Sequence, residues 1–196
     1  MKRLLILIVL VLAGCREQTP SETLNSVKDS RTITDRQVET SSKVGSAFLN
    51  NLTSITNEQA EILSTLKHLE LNSLTSITDQ QAESLSEVKY LRLNGLASIS
   101  DKQLESLSQC NSLYLNGLTS ITDEQAESLS KVRNLGLNSL TTITDQQVES
   151  LSKVEHYLSL NGLTSITDAQ AESLSKVESL RISEALQPLI DKYKQQ

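Results

Sequence analysis

Aliphatic residues recur along this chain in a pattern whose period changes within each copy of a 22-residue repeat. In the clearest copy, residues 113–132, Leu113 and Leu115 alternate with positions predicted to be exposed, as in a short strand. After a polar turn, Ala126, Leu129 and Val132 fall three apart and share one face of a short helix. The pattern therefore predicts a series of strand–turn–helix units.

A recurring asparagine marks the spacing of the copies. One copy cannot cover its own apolar face, so the copies must stack with strand beside strand and helix beside helix. The asparagines follow one another at intervals of 22 residues, and once of 23, at Asn50, Asn72, Asn94, Asn116, Asn138 and Asn161.

Each helix has a predicted N-cap residue. Thr122 and Gln125 match the capping box, in which a hydroxyl and a side-chain amide each satisfy an unpaired backbone N–H. Hydroxyl residues occupy the same column in every copy, at Thr34, Thr56, Thr78, Ser100, Thr122, Thr144 and Thr167.

The pattern Leu-x-Leu-x-x-Leu-x-x-Ile-x-Asp resembles the leucine-rich-repeat family over about residues 32–182. The resemblance implies an α/β, right-handed solenoid with parallel strands on the concave face and short helices on the convex face. One departure is clear, because the family's buried asparagine is replaced by leucine. Nearby Thr and Ser are expected to satisfy the turn instead. The leucines are Leu52, Leu74, Leu96, Leu118, Leu140 and Leu163.

The chain start reads as a targeting segment. A short basic region precedes an uncharged stretch, residues 4–14, that is too short to span a bilayer but suits a signal peptide. Its end, Leu12-Ala13-Gly14-Cys15, resembles the bacterial lipobox, which implies cleavage before Cys15 and a lipid on its sulfur. We therefore expect membrane attachment through lipidated Cys15, in the outer membrane if the host has two membranes and otherwise on the outer face of the cytoplasmic membrane.

The predicted domain organisation follows from these segments. The first repeat is degenerate, and near the end Leu186, Leu189, Ile190 and Tyr193 have the spacing of an amphipathic closing helix, with Pro188 in its first turn. The predicted divisions are a signal peptide at 1–14, a lipidated tether at 15–22, about seven repeats at 23–182 and a capping helix at 183–196.

Charge and candidate chemistry narrow the function. The formal charge of −6 disfavours nucleic-acid binding. Columns of Asp and Glu along the helix starts raise the possibility of calcium, but acids there also complement the helix dipole. Cys110 stands in a column of Val and Leu and is predicted to be a buried small hydrophobe. No catalytic or cofactor motif is present, so we expect a protein that is not an enzyme, with no cofactor and no metal.

The informative positions are those that vary while the rest of the repeat does not. Around the strands they collect most of the aromatic residues and both histidines, and Tyr and Arg are frequent interface anchors. Aromatics also favour strands and stack across them for structural reasons alone. The candidate binding residues are Phe48, His68, Glu70, Lys89, Tyr90, Arg92, Tyr114, Arg133, His156, Tyr157 and Arg181.

Two functions remain open on the sequence. The first is a cell-envelope binding module for a protein, peptide or glycan, with Tyr90, Arg92 and Tyr114 at the centre of its concave face. The second is a structural spacer or surface coat without a specific ligand, because recent duplication alone produces near-identical copies.

Overall fold

A computed structural model describes residues 45–194, in which strands and helices alternate along the chain. All seven strands of this part form one parallel sheet, and their order in the sheet is their order in the sequence. The strands are β1 Ser46–Phe48, β2 His68–Glu70, β3 Tyr90–Arg92, β4 Ser112–Tyr114, β5 Asn134–Gly136, β6 Tyr157–Leu160 and β7 Ser179–Ile182.

Seven helices of the described residues connect or follow these strands. Neighbouring helices pack against one another in chain order, as the strands do. They are α1 Asn57–Leu63, α2 Asp79–Leu85, α3 Asp101–Leu107, α4 Asp123–Leu129, α5 Asp145–Leu151, α6 Asp168–Leu174 and α7 Gln187–Lys194.

The sheet register confirms the predicted stacking of the repeats. Leu69, Leu91, Leu113 and Leu135 pair in turn across β2 to β5, so equivalent residues of successive copies are neighbours. The extra residue of the 23-residue copy lies outside the pairing, since Leu135 pairs with Leu158 in the same register. Equivalent side chains therefore form continuous rows along the solenoid.

The core lies between the sheet and the helices and is built from these rows. Leu113, Leu115, Ala126, Leu129 and Val132 are fully buried, as the change of period predicts. The leucine column that follows the strands is also buried, from Leu52 to Leu163.

The helix starts form as predicted. Thr122 precedes α4, its hydroxyl accepts from the Gln125 N–H at 3.1 Å, and the Gln125 amide oxygen accepts from the Thr122 N–H at 3.0 Å. The same reciprocal pair begins each helix from α1 to α6. Thr34 lies outside the described residues.

The same glutamines also join neighbouring coils, which the capping pattern does not indicate. The Gln125 Nε2 donates to the Ile99 carbonyl of the preceding coil at 3.1 Å, and the Gln147 Nε2 donates to Ile121 at 2.8 Å. Gln81, Gln125, Gln147 and Gln170 therefore each fix the start of their own helix and hold the previous coil at hydrogen-bonding distance.

The turn after each strand is satisfied mainly by the recurring asparagine. The Asn116 N–H donates to the Asn94 Oδ1 at 3.0 Å, and the Asn138 N–H donates to the Asn116 Oδ1 at 3.0 Å. The expected hydroxyl contribution is present in part, because the Ser139 hydroxyl donates to the Asn116 carbonyl. The asparagine column thus links the turns of successive coils.

The last helix covers the end of the described core. Ile190 of α7 is fully buried, and Leu186, Leu189 and Tyr193 pack around it. Helix α7 begins at Gln187, so Pro188 lies in its first turn. The predicted signal peptide, tether, lipid site and degenerate first repeat fall on residues 1–44, outside the described residues. None of the helices within 45–194 is long and apolar enough to cross a bilayer.

Candidate functional site

The strand face carries two rows of side chains, one from each outward position of a strand. The first row is Ser46, His68, Tyr90, Ser112, Asn134, Tyr157 and Ser179, and the second row is Phe48, Glu70, Arg92, Tyr114, Gly136, Ser159 and Arg181.

Three of the predicted binding residues form one cluster at the middle of this face. The Arg92 guanidinium carbon lies 5.2 Å from the centroid of the Tyr90 ring and 4.9 Å from that of Tyr114. The two rings are 5.2 Å apart between centroids and tilted by 43°. We call Tyr90, Arg92 and Tyr114 the tyrosine–arginine cluster. Both contacts have the geometry of cation–π interactions, which stabilise the arrangement without closing it to solvent.

Polar contacts around Arg92 balance its positive charge. The Arg92 Nε donates to the Tyr90 hydroxyl at 2.5 Å and lies 3.6 Å from the Glu70 Oε1. The other Glu70 carboxylate oxygen accepts from the Nδ2 atoms of Asn50 and Asn72 at 3.3 and 3.4 Å. The single positive charge is therefore balanced within the chain.

His68 extends the cluster along the first row. Its ring meets the Tyr90 ring edge to face, with the centroids 5.6 Å apart and the planes at 85°. Its Nδ1 lies 3.2 Å from the Ser46 hydroxyl. The contacts thus continue unbroken from β1 to β4.

Tyr114 is held on its other side by the neighbouring strand. Gly136 pairs with Tyr114 across β4 and β5, and a Cβ at Gly136 would lie 2.5 Å from the Tyr114 Cδ1. The ring therefore stands against the Gly136 backbone. Burial raises the pKa of Tyr114 to about 12, and the nearby Tyr90 and Tyr157 contribute in the same direction, so the phenol stays protonated. Gly136 was absent from the sequence-based candidates.

The remaining candidates do not join the cluster. Phe48 is 44% exposed on β1, and Arg181 lies on β7, three strands from Tyr114 and hence roughly 14 Å away. Tyr157 lies on β6, two strands from Tyr114. Lys89 is exposed at the position directly before β3.

Arg133 and His156 lie directly before β5 and β6, and each contacts a glutamate outside the cluster. The His156 Nδ1 is 2.6 Å from the Glu178 Oε2, and this hydrogen bond lowers the pKa of Glu178. The Arg133 Nε is 3.7 Å from the Glu155 Oε2 beside an open depression of about 420 Å³. Its lining is polar and includes Lys131 and Asn111. These groups form a second, charged area rather than part of the cluster.

The Asp column is largely occupied by neighbouring side chains. Asp101 accepts from the Gln125 Nε2 at 2.9 Å, and Asp79 pairs with Lys102 at 3.0 Å. Within residues 45–194 no group of three or more His, Cys, Asp or Glu side chains has a metal-binding arrangement.

Comparison with known proteins bears on the fold. No protein family profile and no curated protein matches the sequence. Among solved structures, internalin C2 from Listeria monocytogenes is similar with a TM-score of 0.54 and 20% identity, over 82% of this chain and 72% of that one. The fold is a leucine-rich-repeat solenoid.

A second solenoid supports the same assignment. The structure titled as a complex of TLR13 with ssRNA13 is similar with a TM-score of 0.55 and 20% identity over 76% of this chain. The leucine-rich-repeat chain described here covers 23% of the TLR13 chain. At this identity the likeness establishes the fold.

Proposed function

We propose that this chain is a lipid-anchored binding protein of the cell envelope whose strand face recognises a protein, peptide or glycan. The tyrosine–arginine cluster is the observation that carries the proposal. It gathers Tyr and Arg, the side chains most enriched among interface anchors, on β3 and β4, beside the small or polar outward residues Ser112, Asn134 and Gly136.

The contacts within the cluster favour binding because they fix its shape before a ligand arrives. Arg92 is held between two rings and by Tyr90 and Glu70, so its long side chain loses little further freedom on association. The half-buried rings and hydroxyls of Tyr90 and Tyr114 offer both apolar contact and hydrogen bonds.

Charge and the chain start support the rest of the proposal. The balanced charge of the cluster and the formal charge of −6 favour a ligand other than nucleic acid. The lipobox-like sequence at residues 12–15 supports attachment through lipidated Cys15, on the outer side of a membrane.

The spacer function has one observation in its favour. The contacts of Arg92 with Glu70 and with Tyr114 join β2, β3 and β4, so the cluster also stabilises the sheet. If the cluster is purely structural, its mutation lowers the stability of the protein and does not abolish binding of any ligand.

A capture experiment separates the two functions. Residues 16–196, immobilised in the wild-type form and as Tyr90→Ala/Arg92→Ala/Tyr114→Ala, are compared as bait for envelope extract and for a glycan array. The matched control is Glu83→Gln/Glu105→Gln/Glu127→Gln, which changes three exposed residues of the helix face. We expect partners retained by the wild type and the control and lost from the cluster variant. Equal capture by all three forms contradicts the binding surface, and no reproducible capture by the wild type favours the spacer.

The anchor is tested separately in cells. We expect the full chain to fractionate with membranes and to incorporate a labelled fatty acid, and Cys15→Ala to do neither. Wild-type protein that is released with the soluble fraction contradicts lipid attachment. Circular dichroism of both forms shows whether the repeat domain is intact.

A further inference from the structure

Gly136 is exceptional within the second row. The other outward positions of that row, within the described strands, all carry a side chain larger than hydrogen: Phe48, Glu70, Arg92, Tyr114, Ser159 and Arg181.

The backbone conformation of Gly136 does not explain the glycine. Among residues 45–194 a positive φ occurs at Gly45, and Gly136 lies within regular β5. An L-residue could adopt this conformation without strain. The reason for glycine must therefore be the space that a side chain would occupy.

That space is filled by Tyr114. A Cβ at Gly136 would lie 2.5 Å from the Tyr114 Cδ1 and 3.3 Å from its Cε1, so the ring and the methyl group cannot both remain. The third near atom is the Asn116 side-chain oxygen at 3.1 Å. On the opposite side of the ring lies the Arg92 guanidinium, 4.9 Å from the centroid. The ring is thus confined between Arg92 and Gly136.

Gly95 shows what a glycine needed for backbone packing looks like here. A Cβ at Gly95 would meet the backbone oxygens of Asn72 at 2.5 Å and Leu74 at 2.6 Å, which cannot move without shifting a coil. At Gly136 the nearest atoms belong to side chains, which can rotate away. Gly95 therefore serves the stacking of coils, whereas Gly136 serves the placement of one ring.

We propose that Gly136 is a positioning residue, which seats the Tyr114 ring beside Arg92 and so sets the shape of the tyrosine–arginine cluster. The inference deepens the proposed function and rests on it for its biological meaning. Its structural part stands on the contacts alone.

The test introduces one methyl group and follows Tyr114 and Arg92 directly. In Gly136→Ala, made in residues 16–196, we expect the Tyr114 ring to swing toward solvent. Its phenol, assigned with Tyr114→Phe in an absorbance titration, should then titrate from about 12 toward the ordinary value of 10.0. The Arg92 Nε–H resonance, assigned with Arg92→Lys, should move toward its position in Tyr114→Ala. Gly95→Ala is the contrasting variant, because it should lower the melting temperature and leave both signals in place where it folds.

A double-mutant cycle keeps the test decisive if Gly136→Ala is unstable. Once the ring is absent, the added methyl group has little to displace. Gly136→Ala should therefore lower the melting temperature less in a Tyr114→Ala background than in the wild type. Unchanged signals in Gly136→Ala, equal costs in both backgrounds, or a double variant that fails to fold would each overturn the proposal.

Capture from envelope extract then separates this inference from the proposed function. If Gly136→Ala moves both signals and loses the captured partners, the positioning role and the binding surface are both supported. If it moves both signals and retains every partner, Gly136 still positions Tyr114, and the binding function of the cluster is wrong.

Discussion

At the scale of single residues, the capping glutamines explain why this repeat uses Gln where the general capping box allows Glu. Gln147 accepts from the Thr144 N–H at 3.1 Å, which a carboxylate would also do. Its Nε2 also donates to the Ile121 carbonyl at 2.8 Å, which a carboxylate cannot do. The second bond lies in the interior between two coils, where an unsatisfied carbonyl is costly.

We therefore expect Gln147→Glu to lower the free energy of unfolding by about 1–3 kcal/mol, because one buried acceptor loses its donor and faces a like partial charge. Urea unfolding followed by circular dichroism measures the change. Gln146→Glu is the control, since that neighbouring side chain is exposed in the first turn of the same helix, where negative charge is favourable. A Gln147→Glu protein as stable as Gln146→Glu would show that the bond to Ile121 contributes nothing.

Cys110 illustrates a residue whose chemistry is suppressed by its place in the core. It is 3% exposed, as predicted from its column of aliphatic residues, and burial raises its pKa to about 12. At neutral pH such a thiol holds roughly a thousandth of the thiolate of a thiol of pKa 9.0.

In residues 16–196, where Cys110 is the remaining cysteine, we expect a disulfide reagent to react slowly with the native protein and at once in urea. Cys110→Val should change the free energy of unfolding by less than about 1.5 kcal/mol, since valine fills this column in other copies. Rapid native modification would place the thiol at the surface.

At the scale of elements, the sequence predicts strands and helices well because their signals are local. The alternation at Leu113 and Leu115 and the three-residue spacing from Ala126 to Val132 each specify one buried face. The column of Thr and Ser specifies where each helix begins. Repetition makes each of these signals unambiguous, because the same pattern recurs in every copy.

Contacts between coils are less predictable, because a column shows which residue recurs but not which neighbour it meets. The hydrogen bond from Gln147 to the Ile121 carbonyl and the hydrogen bonds along the asparagine column both cross from one copy to the next. The placement of the Tyr114 ring is still harder to predict, because it depends on the direction in which a half-buried side chain points. Only the register and the side-chain direction together place that ring over Gly136.

The asparagine column gives a prediction at this scale. Asn116→Ala removes the oxygen that accepts from the Asn138 N–H at 3.0 Å, so β5 loses a link to β4 at its end. We expect a loss of about 1–2 kcal/mol in the free energy of unfolding. Asn116→Asp keeps an accepting oxygen in place and should recover most of that loss at neutral pH. Equal destabilisation by the two substitutions would assign the effect to something other than this hydrogen bond.

At the scale of the whole molecule, the solenoid is a one-dimensional stack in which each coil covers the next. Equivalent leucines pair from β2 to β7, and neighbouring helices pack in the same order. Stability in such a stack is the sum of the coils and their interfaces, so the last coil depends on whatever covers it. In the described residues that cover is α7, which packs against α6.

Ile190 is the residue of α7 that packs most deeply at this end of the stack, because it is fully buried while its neighbour Asp191 is exposed. We expect Ile190→Ala to destabilise α7 by about 2–5 kcal/mol, because truncating a fully buried side chain removes its packing. In hydrogen exchange, deuterium uptake should rise first in α7, then in β7 and α6, and last in β3 and β4.

Asp191→Ala is the matched control, because it changes the adjacent exposed residue and should leave the exchange pattern nearly unchanged. The location of the effect also bears on function, since the tyrosine–arginine cluster lies on β3 and β4, away from α7. Ile190→Ala should therefore retain the Arg92 resonance and the high pKa of Tyr114 at temperatures where α7 is already open. Loss of those signals together with α7 protection would mean that the solenoid unfolds as one cooperative unit, with the binding face no more stable than its terminal helix.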